Sequence, residues 1–217
     1  MDILKTTCKP LDLLIGGGLE SSIITKIYGE AGTGKTNICL QVARECVKSG
    51  KKVAYIDSEG VSLKRLEQIC QKEDYNKILK SILFFSPSSF SEQEEMINKS
   101  IKIENIGLII VDTINLLYRV CIEKNKDEAI RSFIRQMSNL QIAARKNNLF
   151  VVVTEQVYSD KEGVIQPFTN READHIAKTI LKLEKKEIGV RQVTIIKHRF
   201  RPEGIIALFR IVEIGLE

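Results

Sequence analysis

The residues best equipped for chemistry form one run, Gly29-Glu30-Ala31-Gly32-Thr33-Gly34-Lys35-Thr36. Its spacing, Gly-x-x-x-x-Gly-Lys-Thr, is that of a Walker A phosphate loop. Glycines let the backbone turn its N–H groups inward around a β-phosphate, and the N-terminus of a following helix adds its positive dipole end. Lys35, read as a solvent-facing ligand, would bridge the β- and γ-phosphates, and the Thr36 hydroxyl would hold Mg²⁺. The cofactors implied are ATP and Mg²⁺. A glycine-rich turn without a ligand is the alternative, and the strand pattern before the run and helix pattern after it argue against that.

Three further strand ends supply the partners such a loop needs. Leu108-Ile109-Ile110-Val111-Asp112 places an acid after an apolar run, where Asp112 can orient the metal ion through water. Alone, such a run is equally a plain strand end; beside the loop it gains meaning. Tyr55-Ile56-Asp57-Ser58-Glu59-Gly60 brings two more acids, and Glu59 is the candidate to orient and deprotonate an attacking water. The competing reading has Asp57 and Glu59 merely capping the next helix. In Thr154-Glu155-Gln156 the Gln156 amide either senses a γ-phosphate or satisfies strand-end backbone groups.

Positioning these residues requires an alternation of strands and helices. Ile23 to Tyr28, Val53 to Ile56, Ile82 to Phe85, Leu108 to Val111 and Leu149 to Thr154 are short runs rich in Ile, Val and Phe. They predict strands buried on both faces. Helical patterns start near Lys35, Ser62, Ser91 and Asp127, the last placing Ile130, Phe133, Ile134, Met137 and Ala144 on one face. The fold class is therefore α/β, a mostly parallel sheet flanked by helices. Residues 157 to 173 predict a long loop. Ile176 to Leu183, Gln192 to Ile196 and Ile205 to Val212 then follow without helices, as a C-terminal antiparallel meander.

Composition narrows the classes. The chain has 217 residues, 43% of them apolar and 28% charged, an ordinary globular balance for one domain. No run approaches a membrane span and Met1-Asp2-Ile3-Leu4-Lys5 lacks a signal-peptide core, so a cytoplasmic protein without membrane contact is expected. Cys8, Cys39, Cys46, Cys70 and Cys121 are odd in number and contain no Cys-x-x-Cys, which predicts free thiols. The net charge of +5 is localised. Between Lys178 and Arg201 eight Lys or Arg face two Glu, so the rest of the chain is close to neutral.

Taken in order, these motifs resemble the RecA/RadA recombinase family. The resemblance runs from Leu11 to Gly215: the opening Leu11-Asp12 through Gly16-Gly17-Gly18-Leu19, the Asp-x-Glu strand at Asp57 and Glu59, the Walker B run Leu108 to Thr113 followed by Leu117-Tyr118-Arg119, and Thr154-Glu155-Gln156-Val157, where Glu155 stands in place of the family's usual Asn. It implies a RecA-like P-loop ATPase core. Because few residues precede the first core strand, residues 1–217 are expected to form that single core, without the family's N-terminal helical DNA-binding domain and with Met1 to Leu14 as a possible arm. The short archaeal paralogues within the family are the nearest pattern. They imply a DNA-binding accessory of homologous recombination and DNA repair that hydrolyses ATP weakly, does not exchange strands alone, and works with a RadA-type recombinase and a Holliday-junction resolvase, with homo-oligomers as a further possibility.

The resemblance also directs two segments at DNA, bound without sequence preference. The first follows Tyr118 and holds Arg119, Lys124 and Lys126; the second runs from Val157 to Asp174 and holds Lys161 and Arg171. Cations on loops suit phosphate contacts. The second segment also carries Asp160, Glu162, Glu172 and Asp174, so its net charge is negative. Tyr158 and Phe168 either stack on bases or pack the loop down. Lys197-His198-Arg199 resembles a Lys-x-Arg pair that reaches a neighbour's γ-phosphate, which gives Lys197 and Arg199 a nucleotide-binding role in an oligomer; otherwise the basic meander, Lys182, Lys185 and Lys186 included, is a solvated strand face. A clock- or signalling-type ATPase of the same fold, acting on proteins, is the competing function. A nucleotide-gated module that hardly hydrolyses is a third, and Glu59 argues against it.

Overall fold

The computed structural model describes residues 2–71, 73–159, 165–167 and 171–217. Five parallel strands make the centre: β3 (Ile24–Gly29), β4 (Lys52–Asp57), β5 (Ile82–Phe85), β6 (Ile106–Asp112) and β7 (Phe150–Ser159). Before them come β1 (Ile3–Leu4), α1 (Lys9–Leu14) and β2 (Leu19–Glu20); after them come β8 (Ile165–Pro167), α8 (Arg171–Ile176), β9 (Thr179–Lys185), β10 (Val190–Lys197), β11 (Ile206–Val212) and β12 (Gly215–Leu216). The order across the sheet is β12-β11-β10-β9-β3-β7-β6-β4-β5, with β9 parallel to β3 and the last three strands antiparallel. The expected meander thus continues the sheet from one edge.

Alternation along the strands sorts two cores. Ile27, Leu108, Ile110, Val152, Leu181 and Leu183 face the side covered by α1 and by α2 (Lys35–Lys48), α3 (Leu63–Ile69) and α4 (Tyr75–Ser81). Ile24, Ile109, Val111, Val151 and Val153 face α5 (Phe90–Ser100), α6 (Leu116–Lys124) and α7 (Lys126–Asn147). Period-2 strands buried on both faces read as continuous apolar runs, which is why their sequences show no polar side. Side chains start the helices where the pattern does: Ser62 accepts from Arg65 N, Ser89 from Glu92 N and Asn125 from Glu128 N.

Four expectations change. The segment from 157 to 173 is not a plain loop: Val157 to Ser159 prolong β7, β8 returns antiparallel to it, and Arg171 opens α8. The segment after Tyr118 is helix α6, with Tyr118 buried between Phe90 and Phe133. Residues 2–14 are no free arm, because β1 pairs with β2 and α1 lies on β11 with Leu11 and Cys8 buried. On α7 the buried face is centred on Ala129, Phe133, Gln136, Met137, Leu140 and Ala144, leaving Ile130 and Ile134 at its border, and Gln136 within that face accepts from the amide of Gln93 at 2.9 Å. Among the described residues no helix is long and apolar enough to cross a membrane.

Candidate nucleotide site

The loop from Gly29 to Gly34 joins β3 to α2 at the carboxyl ends of the parallel strands, the usual ligand crevice of such sheets. Gly32 and Gly34 have φ of 76° and 103°, a region that disfavours side chains, and Gly34 serves as N-cap of α2. Thr33 closes the turn on the Glu30 carbonyl at 2.8 Å, while Ala31 at the tip is exposed. Gly29 is needed for another reason: a Cβ there would stand 2.4 Å from the Leu183 carbonyl oxygen.

Lys35 is buried rather than solvent-facing, which corrects the sequence expectation. Its Nζ donates to the Gly29 and Glu30 carbonyls at 2.8 and 3.0 Å, so the amine folds back along the loop. Burial pushes it below the ordinary lysine value, against the opposing charges of Glu59 and Asp112.

Asp112 is the polar centre. It is buried, and its two oxygens accept from Thr36 Oγ1 at 2.9 Å, Tyr55 Oη at 2.7 Å and Thr154 Oγ1. Tyr55 and Thr154 were not singled out in the sequence; Tyr55 lies two residues before the carboxyl end of β4 and Thr154 in the middle of β7. Together, the Thr36 hydroxyl and Asp112 carboxylate fit a hard divalent cation that keeps phosphate and water oxygens for its other positions. Among the described residues no group of three or more His, Cys, Asp or Glu could hold a metal ion by itself.

Asp57 and Glu59 part company, and neither caps the next helix, whose N-cap is Ser62. Asp57 accepts from the backbone N–H groups of Glu59, Gly60 and Val61 at 3.1, 2.9 and 2.6 Å, fixing the turn after β4. Glu59 is thereby carried to the crevice, where Gln156 Nε2 donates to its Oε1 at 2.8 Å. Partial desolvation, then the charge of Asp112, raise the Glu59 carboxyl above its ordinary value, which moves it toward the range useful to a general base. Asn115, also unforeseen, clamps Gln156 through both backbone groups, donating to its carbonyl at 2.8 Å and accepting from its N–H at 3.1 Å.

Glu155 has its own partner. Lys26, in the middle of β3 and 1% exposed, pairs with Glu155 at 2.8 Å and with Asp174 of α8. Burial alone would depress this amine, but Glu155 and Asp174 outweigh it and raise it. A buried acid beside a buried lysine accounts for a glutamate where the family pattern has an amide. The signal was present as a lone lysine in an apolar strand.

The remaining candidates lie apart. Arg119 is half-buried on α6, one turn beyond Asn115, whose carbonyl accepts its N–H at 3.2 Å. Arg171 is the first residue of α8, and Lys161 and Phe168 lie outside the described residues. Lys197 Nζ donates to the Asp174 and Ala177 carbonyls at 3.0 and 2.8 Å, and Arg199 stands 4.0 Å from the buried Glu20. Among the described residues, Lys185 and Arg191 approach the phosphate loop of their own chain.

Comparison with known proteins gives the family and the fold. The Rad51 family model matches residues 1–215. The chain belongs to the Rad51 family. Within that family it is 47% identical, over 98% of its length and 96% of the relative's, to the DNA repair and recombination protein RadB of Methanococcoides burtonii. It is 38% identical to the protein of the same name from Thermococcus kodakarensis, over 99% of both chains. A crystal structure described as the RadB recombinase superposes with a TM-score of 0.87 at 37% identity, covering 99% of each chain. The fold is thus RecA-like, with the family's parallel core and C-terminal antiparallel strands.

Proposed function

We propose that this chain is an ATP- and Mg²⁺-dependent, DNA-binding accessory protein of homologous recombination and DNA repair with weak ATP hydrolysis. The observation that carries the nucleotide reading is the meeting of Lys35, Thr36, Asp112, Glu59 and Gln156 around one phosphate loop. In this reading the loop N–H groups from Gly29 to Thr36 enclose the phosphates and Lys35 turns from its two carbonyls to the β- and γ-phosphates. Thr36 and Asp112 hold Mg²⁺, which when bound offsets charge on the phosphate oxygens. Glu59, steadied by Gln156, orients a water and takes its proton.

Membership of the family and the names of its relatives support DNA as the macromolecular ligand. To this reading we add Arg119, Lys161 and Arg171 as phosphate contacts, and a RadA-type recombinase or a Holliday-junction resolvase as partners. In a homo-oligomer, Lys197 and Arg199 reach a neighbour's γ-phosphate, and Lys197 must then leave the carbonyls of Asp174 and Ala177. The test is retention of the protein on immobilised DNA in low salt with ATP or ADP. Release with a steep salt dependence supports the reading; absence of retention with intact ATP binding favours the protein-directed ATPase instead.

A further inference from the structure

We infer that Arg191 and Lys185, facing each other across β9 and β10, belong to the nucleotide-phosphate site, Arg191 as a positioning residue for the loop and Lys185 as a cation at its rim. The inference rests on the nucleotide reading above and deepens it. Strand parity places the pair. Leu181 and Leu183 on β9, and Val193 and Ile195 on β10, point into the core on the α2 side. Lys185 and Arg191 have the same parity at the strand ends and are paired in register, so they extend that face past the core, to where the phosphate loop lies. Lys185 therefore does not belong with Lys182 on the solvated face.

Arg191 Nε donates to the Gly32 carbonyl at 3.0 Å, while Nη1 holds the Val190 carbonyl at 3.0 Å. In a trans peptide the C=O and N–H point in opposite directions. Holding the Gly32 carbonyl outward thus leaves the Thr33 N–H on the inner side of the loop, the side that meets phosphate. That N–H now reaches only the Glu30 carbonyl, at 3.4 Å, a long bond that a phosphate oxygen would readily replace.

Lys185 fills the space beside Gly32: its Cε and Nζ lie 3.5 and 3.6 Å from where a Cβ on that glycine would be. It makes no ion pair among the described residues. Its charge also acts on Lys35, adding to the lowering of that amine. Further along the same meander, Phe209, Ile211 and Leu216 stand about the next glycine, Gly34, at 3.5 to 3.6 Å from its Cβ position. The C-terminal strands therefore form the outer wall of the loop.

The experiment is equilibrium binding of a fluorescent ATP analogue with Mg²⁺ to the full chain and to Arg191→Ala, Arg191→Lys, Lys185→Ala and Lys185→Glu, with the thermal midpoint of each free protein. We expect Arg191→Ala to weaken binding roughly tenfold, the scale of one charge-assisted bond, with the midpoint unchanged and with partial recovery in Arg191→Lys. Lys185→Glu should bind less tightly than Lys185→Ala, by a margin that shrinks as salt is added. Wild-type affinity in Arg191→Ala and Lys185→Glu, or a loss that merely follows the thermal midpoint, overturns the inference alone. A wild-type protein that binds no nucleotide overturns the nucleotide reading and this inference with it.

Discussion

Two side chains in the crevice predict two distinguishable failures. Lys35→Ala should abolish nucleotide binding or hydrolysis, because the amine that meets the phosphates is gone. Since Lys35 is buried against two carbonyls, the variant also deserves an unfolding curve, and unchanged ATP affinity in a folded protein would refute the phosphate-loop assignment. Glu59→Gln keeps the shape and the possibility of a bond to Gln156. Binding should therefore persist while turnover falls, on the order of 10²–10⁴-fold for loss of a general base. The pH profile adds a second readout. A base must be deprotonated to act, and the Glu59 carboxyl is raised by desolvation and Asp112, so turnover should decline on acidification at a pH above the ordinary carboxylate value. That acid limb should vanish in Glu59→Gln, and its persistence there would assign it to another group.

At the level of elements, the buried ions joining β3, β7 and α8 are the feature most exposed to mutation. Lys26 lies between Glu155 and Asp174, and Glu155 is fully buried. Lys26→Met should destabilise the fold by about 3–5 kcal/mol, because it leaves a buried carboxylate without its counter-ion. The double variant Lys26→Met with Glu155→Gln should recover part of that loss. Denaturant unfolding measures both, and a cost below about 1 kcal/mol for the single change would show that the pair is not desolvated as described. The sign of the pH dependence follows from the raised Lys26 amine. Its contribution is complete below the unfolded-state value and is lost only as pH rises through the higher folded-state value. Stability near neutrality should not vary on its account.

The whole molecule is defined by where its charge lies. The basic excess is concentrated between Lys178 and Arg201, whereas the segment from Val157 to Asp174 has two cations against four acids. A DNA-binding surface with this distribution should bind through phosphates, with affinity falling steeply in salt. Arg119→Ala should reduce the slope of log K against log salt by about one or less and leave ATP affinity unchanged. An unaltered slope would move the DNA contacts to the basic meander. The acidic second segment also leads us to expect no strand exchange by the purified protein alone with ATP and Mg²⁺. Efficient homologous pairing in that assay would instead make it a self-sufficient recombinase.

The phosphate loop, the five parallel strands and the C-terminal meander were legible because each has a local cause: glycine spacing, apolar runs of strand length, and turns between β-rich segments. That Glu59, Asp112 and Gln156 would lie near the phosphate loop was legible because they follow strands that run parallel in one sheet, whatever the exact register; their roles remain part of the proposal. Tertiary structure decided what depends on partners distant in sequence. Glu155 is explained only by Lys26, more than a hundred residues earlier, and Asp57 and Glu59 separated into a turn-former and a crevice acid only once their bonds were seen. The segment after Val157 looked like a loop because its hairpin is built by pairing with β7, not by its own pattern. Lys185, with the rest of the basic meander, read as a charge on a solvated strand face, since the sequence does not show what lies opposite the end of a strand. The parity of the strand gave the face, but only the packing of the meander against the loop put Gly32 beneath Lys185 and Arg191.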